Sequence, residues 1–116
     1  MEIRIVKEED LSTLASIFAK SFTMAEPSKP WQDENAFNLM RYWYIRQPDL
    51  FFVAIQSKEI IGGMVANIKP WRDGNRCQDG ILFVDSTHQK SGVGKKLFSK
   101  LLKESIDKYN TKTFEG

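Results

Sequence analysis

Residues 88–98 read HQKSGVGKKLF. Gly92 and Gly94 stand one residue apart, just ahead of a run with helical spacing, and glycine is conformationally costly there. A tight turn into a helix is one reason for such a pair. Bare backbone N–H groups presented to an anion are another, because a helix start leaves its first N–H groups unpaired and carries partial positive charge. The flanking sequence decides between the two.

Immediately upstream, DGILFVD (79–85) reads as a strand with a fully apolar centre. Downstream, Val93, Leu97, Leu101, Leu102 and Ile106 fall along one helical face, with Lys95, Lys96, Lys100, Lys103 and Lys108 mostly on the other. Residues 2–6 alternate like a short strand. The acids Glu8, Glu9 and Asp10 suit a helix start, and Leu11, Leu14, Ala15, Phe18 and Phe22 continue at helical spacing, ending near Phe22. Residues 23–33 carry two prolines and read as a loop. A second helix fits 34–47, with Phe37, Met40, Trp43 and Tyr44 as its stripe, and Pro48 stops it. Strands follow at 51–55 and 60–68, joined by a turn at Ser57–Glu59, with Gly62 and Gly63 marking a bulge or a close backbone approach. DGN (73–75) is a turn. TKTF (111–114) starts a fifth strand.

The resulting order, β-α-α-β-β-β-α-β, predicts a mixed α/β (α+β) domain over 1–116, with no linker to divide it. At 116 residues the chain suits one domain that buries about two-thirds of its unfolded surface. A net charge of +2 is too small to argue for nucleic acid or a membrane surface. The lone cysteine, Cys77, excludes an internal disulfide and makes a reducing, cytoplasmic setting the default. No apolar run approaches the roughly 20 residues that span a bilayer, and MEIRIVKEED lacks the apolar core of a signal peptide.

Three phosphate-loop patterns can be tested against residues 88–98. GxxxxGK[ST] needs glycine at 89 and Ser or Thr at 96, where Gln89 and Lys96 stand. GxGxxG needs glycine at 97, where Leu97 stands. Gln89-Lys90-Ser91-Gly92-Val93-Gly94 does match Q/R-x-x-G-x-G/A, and on that motif, its strand–loop–helix setting and the element order the chain resembles the GNAT superfamily of N-acetyltransferases over nearly its whole length. The resemblance implies a central, mostly antiparallel mixed sheet flanked by helices. It implies transfer of an acetyl group from acetyl-CoA to a primary amine of a small molecule or a peptide, with no metal. Gln89, Lys90, Ser91, Gly92, Val93, Gly94 and Lys95 would hold the pyrophosphate of the co-substrate, the glycines by leaving backbone N–H groups accessible. Leu82, Phe83 and Val84 would lie on a splayed strand whose free backbone groups meet the pantetheine arm, the Val84 N–H serving the developing oxyanion.

The chain departs from the family in two places. The fourth-strand positions that match the usual glutamate base hold Gln78 and Gly80. Asp79 is a carboxylate, but strict alternation turns it to the other face unless a bulge intervenes. The family continues after its fifth strand with a helix and two further strands, often bearing a tyrosine acid. This sequence stops at Gly116, so it is expected to be a short form whose open sheet edge invites pairing with a second copy. The catalytic residues are therefore unassigned. Tyr109 sits in the third helix and is not that acid.

Trp31 is the candidate substrate residue, in the loop that lines the family's acceptor pocket, while Tyr42 and Trp43 are expected to pack. His88 and Cys77 lack partners at metal-ligand spacing. A CoA-binding module without activity, open to completion by a partner chain, is the alternative function. A nucleic-acid module built on the lysine face of the third helix is disfavoured by the weak net charge.

Overall fold

The computed structural model describes residues 1–89 and 91–115. Five strands form one sheet in chain order: β1 (Glu2–Ile5), β2 (Phe51–Gln56), β3 (Glu59–Trp71), β4 (Gly74–Val84) and β5 (Thr113–Phe114). The pairs from β1 to β4 are antiparallel, and β5 joins β4 in parallel. Between β1 and β2 run α1 (Leu11–Ala25) and α2 (Asp33–Arg46), and α3 (Val93–Tyr109) connects β4 to β5. The mixed sheet, its helices and their order are those expected from the sequence.

Alternation along the strands builds two cores. Phe51, Val53, Val65 and Phe83 pack with the buried faces of α1 and α2. Phe52, Ala54, Met64, Ala66 and Val84 point the other way and pack with Val93, Leu97 and Leu101 of α3. Each buried large apolar side chain contributes about 1.5–3 kcal/mol, so this two-sided sandwich is the main source of stability. At the first turn a bidentate pair holds the chain entry: Arg4 donates through Nη1 and Nη2 to the buried Asp10 carboxylate at 2.8 and 3.0 Å. Burial pushes that carboxyl up, but Arg4 and the Lys7 N–H outweigh it and keep Asp10 below the usual carboxylate range.

Several boundaries differ from the sequence reading. The acids Glu8–Asp10 form a 3-10 turn ahead of α1 rather than its first turn, and α1 runs on to Ala25, because nothing before Glu26 breaks the helix. Strands β3 and β4 form a longer hairpin than expected, with Lys69 opposite Arg76 and Pro70 opposite Asn75. The polar composition of that hairpin end hid it. Ile106 was expected on the buried face of α3, yet it is exposed together with Phe98, on a second stripe 100° or more from the first. No helix among the described residues is long and apolar enough to cross a membrane.

The glycines of β3 mark both of the anticipated features. Gly62 opposes Ala54 while Ile60 opposes Ile55, leaving Ile61 as an extra residue. A Cβ on Gly62 would meet the Phe83 carbonyl oxygen at 2.8 Å, and one on Gly63 would meet the Phe83 ring at 2.9 Å, so the strands approach too closely for a side chain.

Candidate functional site: the open edge of the fourth strand and the glycine loop

The chain leaves β4 at Val84, makes a 3-10 turn over Ser86–His88 and enters α3 at Val93. Asp85 organises the turn: its Oδ1 accepts from the Thr87 N–H at 3.0 Å and from the Thr87 hydroxyl at 2.9 Å. Those two bonds hold the Asp85 carboxyl below its ordinary range. The Ser91 hydroxyl donates to the His88 carbonyl at 2.6 Å, and Gln89 Nε2 donates back to the Val84 carbonyl at 3.1 Å. Gln89 thus ties the loop to the strand end, a positioning part that its place in the motif did not announce. Lys90 lies outside the described residues.

Gly92 precedes the helix at φ 82°, a left-handed conformation that disfavours other residues. Among the described residues no side chain caps the helix start, and a Cβ at Gly92 would meet none of their atoms within 4 Å. The first-turn N–H groups of Val93, Gly94 and Lys95 have no carbonyl one turn earlier inside the helix. Val93 is buried and anchors that turn, while Ser91, Lys95 and Lys96 are exposed beside it. The arrangement is a positively polarised helix start with open space, among the described residues, at Gly92. The space at Gly92 and the absence of a capping carboxylate both suit a pyrophosphate.

Strand β4 is paired on both sides only at its beginning. β5 covers Arg76 and Cys77, and no strand among the described residues flanks Ile81–Val84 on that side. The ladder to β3 fixes which groups are free. The Asp85 N–H donates to the Ile61 carbonyl at 2.7 Å, so the two-residue alternation of an antiparallel ladder turns Phe83 and Ile81 toward β3. Leu82 and Val84 then direct their N–H and C=O groups to the open edge, and the bond from Gln89 to the Val84 carbonyl agrees. Of the three strand residues singled out in the sequence, two present backbone groups at the edge, and Phe83 spends its own on Gly63.

A bulge lies at the other end of this edge. Val65 opposes Ile81 and Asn67 opposes Gln78, so Asp79 and Gly80 together face Ala66. Asp79 is exposed at φ 59°. Simple alternation therefore fails at Asp79, so the one-strand argument that turned this carboxylate to the other face no longer holds. The register that creates it belongs to two strands at once, so one strand's pattern does not reveal it.

Trp31 is fixed by its N–H to Thr23 Oγ1 at 2.9 Å and by edge-on packing against Phe18 at 4.9 Å. It lines a cavity of about 620 Å³ with Lys20, Met24, Asp33, Asp85 and Thr87. That cavity adjoins the C-terminal end of β4. Asp79 lies six residues back along the strand, roughly 20 Å away. The structure thus does not bring Trp31 together with the bulge. Trp43 is buried, and Tyr42 stands exposed against it at 5.4 Å. His88 shares its Nδ1 with the Thr87 hydroxyl at 2.9 Å, Cys77 is buried in the α3-side core, and the Tyr109 hydroxyl donates to Asp49, well away from the loop. No group of three His, Cys, Asp or Glu among the described residues is arranged to hold a metal ion.

Comparison with known proteins points the same way as this geometry. The family model described as "Acetyltransferase (GNAT) family" matches residues 11–114. A possible acetyltransferase from Clostridium difficile 630 superposes with a TM-score of 0.76 at 19% identity, over 98% of this chain and 76% of that one. The ribosomal-protein-alanine N-acetyltransferase of Brucella melitensis gives 0.70 at 19% identity, over 94% and 69%. A transcriptional regulator from Bacillus halodurans C-125 gives 0.76 at 15% identity, over 98% and 79%. At these identities the likeness is one of fold. No curated protein sequence matches the chain significantly.

Proposed function

The chain belongs to the GNAT acetyltransferase family, and we propose that it moves an acetyl group from acetyl-CoA to a primary amine of a small molecule or a peptide. The observation that carries this reading is a juxtaposition: the glycine-bounded start of α3 follows a strand edge that leaves, among the described residues, the Leu82 backbone groups and the Val84 N–H without a strand partner, the Val84 carbonyl being taken by Gln89. A pyrophosphate suits the first, and an extended amide-bearing arm suits the second.

The acyl donor supplies an activated thioester, and the chain's residues supply position and polarity. Backbone N–H groups around Gly92–Lys95 hold the phosphates, with Lys95 adding a cation. The Leu82 N–H, the free edge donor nearer the bulge, faces the carbonyl oxygen and stabilises charge that develops on it, while the Val84 N–H meets the arm closer to the phosphates. The acceptor must lose a proton before it attacks. Asp79 is the carboxylate at the bulge, and it accepts that proton through water; the N–C bond forms, the C–S bond breaks, and the thiolate of CoA leaves and takes a proton from solvent. The acceptor therefore approaches the bulge end of β4, beside Gln78. Trp31 contributes only to an acceptor long enough, such as a peptide, to reach the other end.

A second reading, a CoA-binding module without turnover, rests on Gln78 standing where the family usually carries its glutamate. Release of free thiol from acetyl-CoA, followed across a panel of primary amines, separates the two. Amine-dependent release supports catalysis. Saturable acetyl-CoA binding with no release above background for any amine supports the binding module.

A further inference from the structure

On the α1/α2 side, α2 ends at Arg46, and the far half of the β3–β4 hairpin lies uncovered beyond it. Asn67, Lys69 and Trp71 of β3 share this face with Arg76 and Gln78 of β4, through the cross-strand pairs Asn67–Gln78 and Lys69–Arg76. Three cations border the surface, but they are not equivalent. Arg76 is neutralised by Glu115 and Asp73. Arg46 and Lys69 have no acidic partner among the described residues, and Lys69 rests over the exposed Trp71 ring at 4.9 Å.

Arg46 is held without being neutralised. Its Nε donates to Oδ1 of Asn67 at 3.3 Å, and its guanidinium stands 5.8 Å from the Tyr42 ring centre. Asn67 is itself 94% buried, so it is a fixed anchor rather than a mobile surface amide. The bond occupies Nε and leaves both Nη groups without a protein acceptor among the described residues. A planar, always-charged fork, oriented by a buried amide and flanked by Lys69 and Gln78, matches a carboxylate. Its anchor, Asn67, faces Gln78, the residue next to the bulge.

We propose that Arg46, oriented by Asn67 and assisted by Lys69, binds a carboxylate on the acceptor, so that the chain selects amines that also carry an acid group, such as amino acids or the acidic end of a short peptide. This rests on the acyl-transfer reading for the word acceptor, but the carboxylate site stands on its own geometry.

N-acetylglycine and N-acetylglycinamide are matched probes that differ in charge. Each is titrated into the isotopically labelled chain without acetyl-CoA, and amide and guanidinium signals are followed by NMR. The proposal expects the anion to shift Arg46 Nε and the Asn67 and Gln78 amides, and to bind about tenfold more tightly than the neutral probe. Arg46→Met, at an exposed helix end, should remove that preference, and Lys58→Met, on the distant β2–β3 turn, should keep it. Equal affinity for both probes would overturn the site. So would an unchanged preference in Arg46→Met, or shifts confined to Ser91–Lys95. Because no donor or turnover is involved, a failure of acetyl-CoA binding would count against the acyltransferase and leave this result unaffected.

Discussion

The two ends of α3 are built on opposite plans. At its C-terminal end nearly every polar group is used. Asn110 closes the helix in a left-handed conformation, and its N–H returns to the Ile106 carbonyl. Asn75 Nδ2 donates to the Tyr109 carbonyl at 2.7 Å, and the Thr111 hydroxyl donates to the Ser105 carbonyl at 2.9 Å. The Tyr109 hydroxyl donates to Asp49, whose other oxygen accepts from Gln47 Nε2 at 2.9 Å, while Gln47 Oε1 accepts from the Ile68 N–H at 3.2 Å. One cluster thus joins α2, α3, β3 and β4. At the N-terminal end, by contrast, a glycine stands at the cap position and offers no side-chain acceptor to the first N–H groups, and lysines stand beside it. A helix anchored firmly at one end can leave the other unsatisfied, and the unsatisfied end is where binding energy is available.

The largest expected effect falls on the tied end. Asp49→Ala leaves Tyr109 and Gln47 without their shared acceptor, and should cost about 2 kcal/mol and lower Tm by roughly 10 °C. Acetyl-CoA affinity should stay within about twofold, because the loop is anchored separately through Val93 and Gln89. Thermal melts with and without acetyl-CoA check both halves, and equal damage to binding would erase the contrast between the ends.

Gly92 offers the reverse experiment. Asparagine tolerates a left-handed φ far better than alanine, so Gly92→Asn should melt close to the parent and Gly92→Ala about 1 kcal/mol lower. Both place a side chain in the open cradle, so both should weaken acetyl-CoA by tenfold or more. A Gly92→Asn chain that binds like the parent would reduce the loop to a turn. At the bulge, Asp79→Asn keeps a residue suited to φ 59° and removes the carboxylate. Amine-dependent thiol release should fall by about a hundredfold with acetyl-CoA affinity unchanged.

The smallest effects are in pH, and the two ends should loosen at opposite extremes. The hydrogen bond from Tyr109 to Asp49, with burial, raises the phenol above its ordinary range. The unfolded chain therefore releases that proton first. This stabilisation is complete below about pH 10 and fades as pH rises through the folded value. Asp85 is lowered by the Thr87 bonds, so its contribution is present above about pH 4 and is lost as pH falls through the folded value. Amide exchange should show acid loosening Ser86–His88 first and alkali loosening Asn75 and Asn110 first. The same end responding to both would contradict the assignment.

How much of this was legible in the sequence follows from the range of each interaction. The glycine loop, the strand before it and the anchoring residue Val93 all lie between residues 79 and 94, and their pattern is local. The order of elements was readable for the same reason. Asp79 was not placed, because a bulge is a property of register between two strands. The cluster of Tyr109 with Asp49 joins positions 60 apart, and the bond from Arg46 to Asn67 joins positions 21 apart, so neither leaves a periodic trace. Ile106 fits a helical wheel perfectly well, but the wheel does not tell which of two apolar stripes the sheet covers. Asp85 did carry a local signal, an Asp two residues ahead of a Thr, the spacing of a side-chain-closed turn.

The central claim is that the open end of α3 and the free edge of β4 together hold an acyl-CoA. Calorimetric titration of the chain with acetyl-CoA, repeated on Gly92→Asn, tests it directly. The account predicts one site per chain at micromolar affinity, weakened tenfold or more in the folded variant. A folded parent chain that gives no binding heat at several temperatures, or a variant that binds as tightly as the parent, would contradict it.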